Sequence, residues 1–529
     1  MATMILTGVP IYTMDGQQSV CEALVIEDER IRYTGDSAEA KKRYPDAEAV
    51  VIEKGCILPG FIDAHMHLRD FALLFRDLDL SSVRLKDELL ERVQMTVADR
   101  EKDKWITGGG ASFRLLESVH REDLDAVTPH NPLVLYSRDM HSMLVNTAVL
   151  AHCHIDDSRQ DPMGGKIERD TSDRPSGILR ERAIDLVKRH IPEEQTVAVQ
   201  SAIGQGVEKL LSCGVTTLCD CSIYAPDLLM HTLMKRYHQG KLLCRAVVMY
   251  DDRLSVRLGS MGIQSLFGNN KVKVGGCKLI LDGSLSSMTA AMSRPYVGKG
   301  TTGMLLMEEN ELYQILKRSY NDHLWAGVHA IGDRAVEIAL RVFQKIGKEI
   351  DVPKLPKRIE HAQTLNDEDV GKFADTGIIP VVNPAHIPFD RMHALAYLGS
   401  RARLEHRIGS LLEAGATLAM GSDAPVGPVN PLYGLYAAVE RKDFEEGPEF
   451  RFFPRECIEL GDALYAYTMG SAAAVGMEHE LGSLEKGKYA DIVVLSHDVF
   501  KTEIGILRDI KVQMTIVGGE IVYDTRRKN

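Results

Sequence analysis

At 529 residues, 44% of them hydrophobic and 26% charged, the chain has the make-up of an ordinary soluble globular protein, with room for one large catalytic domain and a smaller one. Its 63 Lys and Arg against 75 Asp and Glu give a formal charge of −12 without a basic cluster, which argues against nucleic acid or an anionic membrane as partner. The first cation is Arg30, no apolar run approaches the ~18 residues of a membrane span, and nine widely spread cysteines read as reduced thiols, so a cytoplasmic setting is expected.

The first 55 residues alternate as β-strands do, over Met4 to Thr13, Ala23 to Ile26, Ile31 to Thr34 and Val50 to Ile52, with a turn at Glu27-Asp28-Glu29-Arg30. Cys56 to Ile62 then reads as a buried parallel strand that runs into Asp63-Ala64-His65-Met66-His67. In a strand, residues i and i+2 point to one side, so both imidazoles can grip one cation. Residues 70–205 form a long excursion, rich in helix-like pattern, that reads as a lid or substrate-pocket subdomain.

Seven further apolar runs follow, separated by helical patterns: Gly214 to Cys219, Cys244 to Tyr250, Val272 to Leu281, Trp325 to Ala330, Arg358 to His361, Ile378 to Val382 and Thr417 to Met420. Eight strands alternating with helices predict an α/β fold, a (β/α)8 TIM-like barrel over 56–479, with its chemistry at the carboxyl ends of the strands. The tail returns to β-pattern, with Asp491 to Leu495 and a Val512 to Val517, Gly518-Gly519, Ile521 to Tyr523 hairpin. Neither terminus can form a stable sheet alone, so 1–55 and 480–529 are expected to pair into a small composite β-sandwich domain.

The polar residues at those strand ends are His65 and His67 after the first, Lys278 in the fourth, His329 after the fifth, His361 after the sixth and Asp423 after the eighth. All are metal-ligand or acid/base types, and their shared position makes a metal site the expectation. His152-Cys153-His154 repeats the spacing but follows a helix-like run, and reads as a surface or lid pair. Cys219-Asp220-Cys221 has no second cysteine pair near it and reads as buried thiols. Gly482 to Lys488 fits G-x-x-x-x-G-K, but Tyr489 stands where a P-loop needs Ser or Thr. His479-Glu480 lacks the second histidine of a zincin, and no cytidine-deaminase signature occurs.

The segments Gly60 to His67, Asp161 to Gly165, Lys278 to Ser284, His329 to Ala335, Arg358 to Gln363, Gly421 to Pro425 and Gly482 to Asp491 closely resemble the amidohydrolase superfamily. Within it they resemble amidohydrolase family 3, the branch that includes the N-substituted formamide deformylases. That resemblance implies a zinc site of one or two ions, another divalent metal being an open choice. His65 and His67 would hold the more buried ion, His329 and His361 the more exposed one, Lys278 would bridge as a carbamate, and Asp423 would be both ligand and base. Some relatives bridge with cysteine, which raises Cys277, but strand alternation lets only one of Cys277 and Lys278 face the barrel interior. Four substrate-pocket candidates follow from the same resemblance and from loop position: His141, Asn383, Arg334 and Gln363.

Zinc lowers the pKa of bound water toward ~7 and polarises a carbonyl, while Asp423 would take up the water's proton and return it to a departing amine. The implied activity is hydrolysis of a non-peptide C–N bond in a small amide, an N-substituted formamide or acyl amine. A one-metal heterocycle deaminase is the enzymatic rival, and a non-catalytic scaffold of the same fold is the rival from another class. The expected partner is a small-molecule amide, with a homodimer as a candidate assembly.

Overall fold

In the computed structural model, residues 3–74, 78–80, 83–98, 100–137, 142–162, 165–191, 196–350, 355–444 and 446–527 are described. Eight parallel strands pair in the order Phe61–Met66, Val215–Asp220, Arg245–Tyr250, Val272–Ile280, Ala326–Ala330, Lys357–His361, Ile378–Val382 and Ala419–Met420, an almost closed (β/α)8 barrel. These strands are buried nearly throughout, which is why they read as continuous apolar runs rather than alternating ones. The helices outside them are amphipathic. Asp333–Glu349, for example, buries Ala335, Val336, Ala339, Leu340, Val342, Phe343 and Ile346, at steps of three and four.

The run Cys56 to Ile62, expected as one barrel strand, is two. Cys56–Pro59 pairs antiparallel with Ile492–Leu495 and bridges Thr3–Tyr12, whereas Phe61–Met66 opens the barrel. Gly60 sits between them, where a Cβ would come within 2.3 Å of Thr216. Period-2 reading cannot see this change of partners, because both halves are buried.

The terminal segments meet in one sheet, ordered Glu520–Asp524, Val512–Val517, Ile492–Leu495, Cys56–Pro59, Thr3–Tyr12, Val20–Glu27 and Arg30–Gly35, with Glu48–Val51 also on Thr3–Tyr12. Leu6, Ile11, Leu24, Ile57, Leu484, Ile492 and Met514 from both ends of the chain share its core, each worth about 1.5–3 kcal/mol of burial. The closing hairpin turns on Gly518 and Gly519, both at positive φ (56° and 76°), as a tight turn matching the strand twist requires.

The chain folds as two compact units, the first made of Met1–His67, Val207–Ile280 and Met307–Asn529, the second of Leu68–Gly206 and Leu281–Leu306. The second holds a six-stranded sheet, Gly165–Arg169, Pro175–Glu181, Ser142–Val145, Leu133–Ser137, Ile106–Ala111 and Leu78–Asp79. Helix-like pattern was the stronger signal there, since these strands are short. Alternate residues feed separate cores on the two faces, Leu133 and Leu135 on one and Val134 on the other. Among the described residues no helix is long and apolar enough to cross a membrane.

Candidate metal centre

His65 lies near the end of the first barrel strand, fully buried, with both ring nitrogens committed inward. Its Nδ1 is 2.6 Å from Glu360 Oε2, and its Nε2 is 3.4 Å from Lys278 Nζ and 3.5 Å from Asp423 Oδ1. His67 follows with Nε2 3.1 Å from Asp423 Oδ1 and Nδ1 3.4 Å from Ser222 Oγ. His361 packs beside them, its ring 4.8 Å from that of His65 and edge-on to that of His329 at 4.5 Å. Five of the six residues expected as ligands are buried, and His67 is partly exposed at 23%.

Close backbone passage brings Asp423 to the histidines. A Cβ on Gly421 would meet His65 N at 2.5 Å, and the Asp423 amide donates to His65 O at 2.7 Å. Asp63 fixes the same junction by accepting from Ser422 N at 3.0 Å and from Ser422 Oγ at 2.5 Å, and burial pushes its carboxyl up to about 6. Asp423 and His361 both adopt left-handed backbone (φ 55° and 70°), a conformation costing non-glycine residues roughly 1–3 kcal/mol and held here by the surrounding bonds.

Electrostatics leaves the His65 and His361 imidazoles neutral. Burial, reinforced by Lys278, lowers His65 to about 4 against the opposing pull of Glu360, and burial beside His329 lowers His361 far below its ordinary value. Burial would raise Glu360, but Arg358 and His65 outweigh it and keep this carboxylate well below the usual range. Glu360 is therefore ionised, so His65 Nδ1–H donates to it and Nε2 presents its lone pair. Arg358 clamps Glu360 through Nε at 2.8 Å and Nη2 at 2.9 Å, and the pair is fully buried. Asn383 does for His361 what Glu360 does for His65. Its Nδ2 donates to Gly421 O at 3.0 Å, which turns Oδ1 toward His361 Nδ1 at 2.8 Å.

The arrangement suits a cation. Nε2 of His65, Nε2 of His67 and a carboxylate oxygen of Asp423 converge within 4.8 Å of one another. Among the described residues Asp423 Oδ1 is buried and makes no aligned hydrogen bond despite those neighbours, an acceptor left open toward the centre. Burial would raise Asp423, but His67 Nε2 beside it outweighs that and holds the carboxyl far below its ordinary range. A second group, His65, Cys221 and Glu360, shares this wall. Burial and the adjacent Cys219 push the Cys221 thiol well up, leaving it a protonated thiol rather than a thiolate ligand.

The two rivals in the fourth strand separate cleanly. Lys278 faces inward to His65, whereas Cys277 turns to Ser255, Asp252 and Arg318 outside, where burial raises its thiol to about 12. Of the pocket candidates, Asn383 has both polar ends engaged as above, and Gln363 donates to Glu405 Oε2 at 2.9 Å and Asp390 Oδ2 at 3.1 Å. Arg334 is exposed in the first turn of its helix, and His141 lies outside the described residues. Sequence reasoning missed Glu360, Asp63 and His386. Asp63 lies one alternation step back from His65, and an ionisable residue inside a buried barrel strand, as at Glu360 and Asp63, was the available signal.

The profile of the Amidohydrolase family matches residues 53–523. YtcJ of Bacillus subtilis (strain 168) is 30% identical across 97% of this chain and 98% of its own. The N-substituted formamide deformylase of Arthrobacter pascens is 25% identical across 99% of both chains. The crystal structure of a metal-dependent hydrolase from Pyrococcus horikoshii OT3 superposes with a TM-score of 0.79 at 27% identity, covering 95% of this chain and 99% of that one. With its barrel, its strand-end histidines and a match over nearly its whole length, this chain is a hydrolase of the amidohydrolase family.

Proposed function

We propose that the protein is a metal-dependent amidohydrolase that cleaves the C–N bond of a small N-substituted amide, with N-substituted formamides as the first class to try. The observation that carries this reading is Asp423 Oδ1, buried and unbonded between His65 Nε2 and His67 Nε2. Full-length similarity to a formamide deformylase supports the substrate class.

His65, His67 and Asp423 would hold one divalent ion, and His329 and His361 a second, with Lys278 joining them as a carbamate. Zinc suits imidazole and carboxylate donors, and a bound ion would supply an acidified water and a polarised carbonyl. Asp423 is the base. It accepts the proton of the attacking water and returns it to the departing nitrogen, which must leave protonated. Glu360 and Asn383 keep the proton of His65 and His361 on Nδ1, so that both rings present lone pairs toward the centre. A lysine ammonium repels a cation, whereas the carbamate that a lysine forms with carbon dioxide offers two anionic oxygens.

Purified protein should contain one or two equivalents of zinc per chain and hydrolyse members of a panel of N-formyl, N-acyl and cyclic amides. Stoichiometric metal together with deamination of a heterocycle and no amide turnover would overturn the reading.

A further inference from the structure

His386 follows the seventh barrel strand, in the short turn Pro384–His386, and its ring is pressed toward the centre. Its side chain is 11% exposed, and Nε2 is buried without a hydrogen-bond partner among the described residues. That nitrogen lies 3.7 Å from Asp423 Oδ2, on the side of the carboxylate away from the oxygen that faces His65 and His67. The separation is too long for a direct bond, and one further atom about 3 Å from each would bridge it. Gly427 makes room for the ring, since a Cβ there would come within 3.2 Å of both Cδ2 and Nε2 of His386. A buried polar nitrogen aimed at the catalytic carboxylate, with no partner among the described residues, points to a ligand atom.

We propose that His386 Nε2 and Asp423 Oδ2 together receive the nitrogen of the scissile amide, so that the substrate must bring an N–H to this point. The inference rests on the amide-hydrolase reading above and narrows it to mono-N-substituted amides. With its ring proton on Nδ1, His386 accepts the substrate N–H and turns the nitrogen lone pair toward Asp423. As the C–N bond breaks, its electron pair passes to nitrogen, and the proton that Asp423 took from water moves to that nitrogen. The amine leaves neutral and the carboxylate is restored. An N,N-disubstituted amide has no hydrogen for His386 and pushes an alkyl group against a buried, unpaired nitrogen.

The test compares N-propylformamide with N-methyl-N-propylformamide on wild-type holoenzyme, His386→Ala and His386→Gln, with metal content measured on each preparation. Wild type should prefer the first substrate by about tenfold or more, the worth of one well-made hydrogen bond. His386→Ala should bring the ratio near one at unchanged metal content, and His386→Gln, which keeps a polar side chain, should recover part of it. A purely structural role for His386 would lower both rates together and leave the ratio intact, which overturns the proposal. Calorimetry with propylamine and with N,N,N-trimethylpropylammonium, which carries no N–H, gives an arm independent of turnover. Wild type should bind propylamine about tenfold tighter than His386→Ala does, with no such difference for the quaternary ammonium. Equal propylamine affinity in the two proteins overturns the receptor for N–H. Absent turnover of every amide, with the affinity difference present, instead removes the amide-hydrolase reading.

Discussion

The chain contains two His-x-His pairs, and they share a spacing but nothing else. His65 and His67 lie at the end of a strand, where alternate residues point to one side and both Nε2 atoms reach Asp423. His152 is the last residue of the helix Thr147–His152, Cys153 is its buried cap, and His154 adopts left-handed backbone at φ 54°. His152 packs edge-on against Trp105 at 5.5 Å, and both histidines are exposed. Among the described residues neither belongs to a group of three potential ligands, whereas His65 belongs to two. Spacing becomes a metal motif only when the backbone converts it into a common direction.

The most severe way to challenge the first pair is to remove what it converges on. Asp423→Asn, assayed saturated with zinc because a ligand charge is also lost, should lower kcat by about 10²–10⁴-fold, the usual worth of a positioned acid/base, while circular dichroism stays near wild type. Near wild-type kcat would remove Asp423 from the role of base. Next comes the support behind His65. Glu360→Ala strips Arg358 of its buried partner and should cost about 3–5 kcal/mol in urea unfolding, together with a fall of roughly 10–100-fold in metal affinity. An unchanged unfolding midpoint would show that the clamp carries no stability.

Glu405 sharpens the contrast between buried and exposed polar groups through pH. Burial raises it from 4.5 to about 7, against the hydrogen bonds from Thr364 and Gln363. Because the folded state holds this proton more tightly than the unfolded chain does, the stability it contributes is complete below pH 4.5 and is lost as pH rises through 7. Glu405→Gln cannot ionise, so its stability relative to wild type should improve by about 3 kcal/mol between pH 4.5 and 8. A relative stability that does not move over that range contradicts the raised carboxyl. The smallest effect belongs to the second histidine pair. His152→Ala should change stability by no more than about 0.5 kcal/mol and leave metal content alone, and parallel metal loss in His152→Ala and His65→Ala would erase the distinction.

Much of this was legible before any coordinates. Seven of the eight barrel strands fall within two residues of their apolar runs, because parallel strands under helices are apolar on both faces and leave a continuous signal. The position of His65, His67, Lys278, His329, His361 and Asp423 at those ends was readable for the same reason. What escaped were choices made by tertiary partners. Cys56–Pro59 and Phe61–Met66 look like one strand until pairing divides them. Asn383 and Gln363 look like pocket residues until their amides are found holding His361 and Glu405. Leu281–Leu306 follows the fourth barrel strand yet folds with the second unit, where Thr289 donates to Glu181 at 2.7 Å, a contact 108 residues long.

That divided run at Gly60 also sets a timetable for the molecule. His65 is synthesised within the first eighth of the chain, yet the segment immediately before it, Cys56–Pro59, pairs along its length with Ile492–Leu495. The edge that leads into the first ligand strand thus waits through more than 400 residues of translation for its partner. Closing such a long loop makes early, independent assembly of the centre unfavourable. A ribosome-bound chain that ends before residue 490 carries all six ligand candidates but not this pairing, so capacity to retain metal should appear late and abruptly as the chain lengthens.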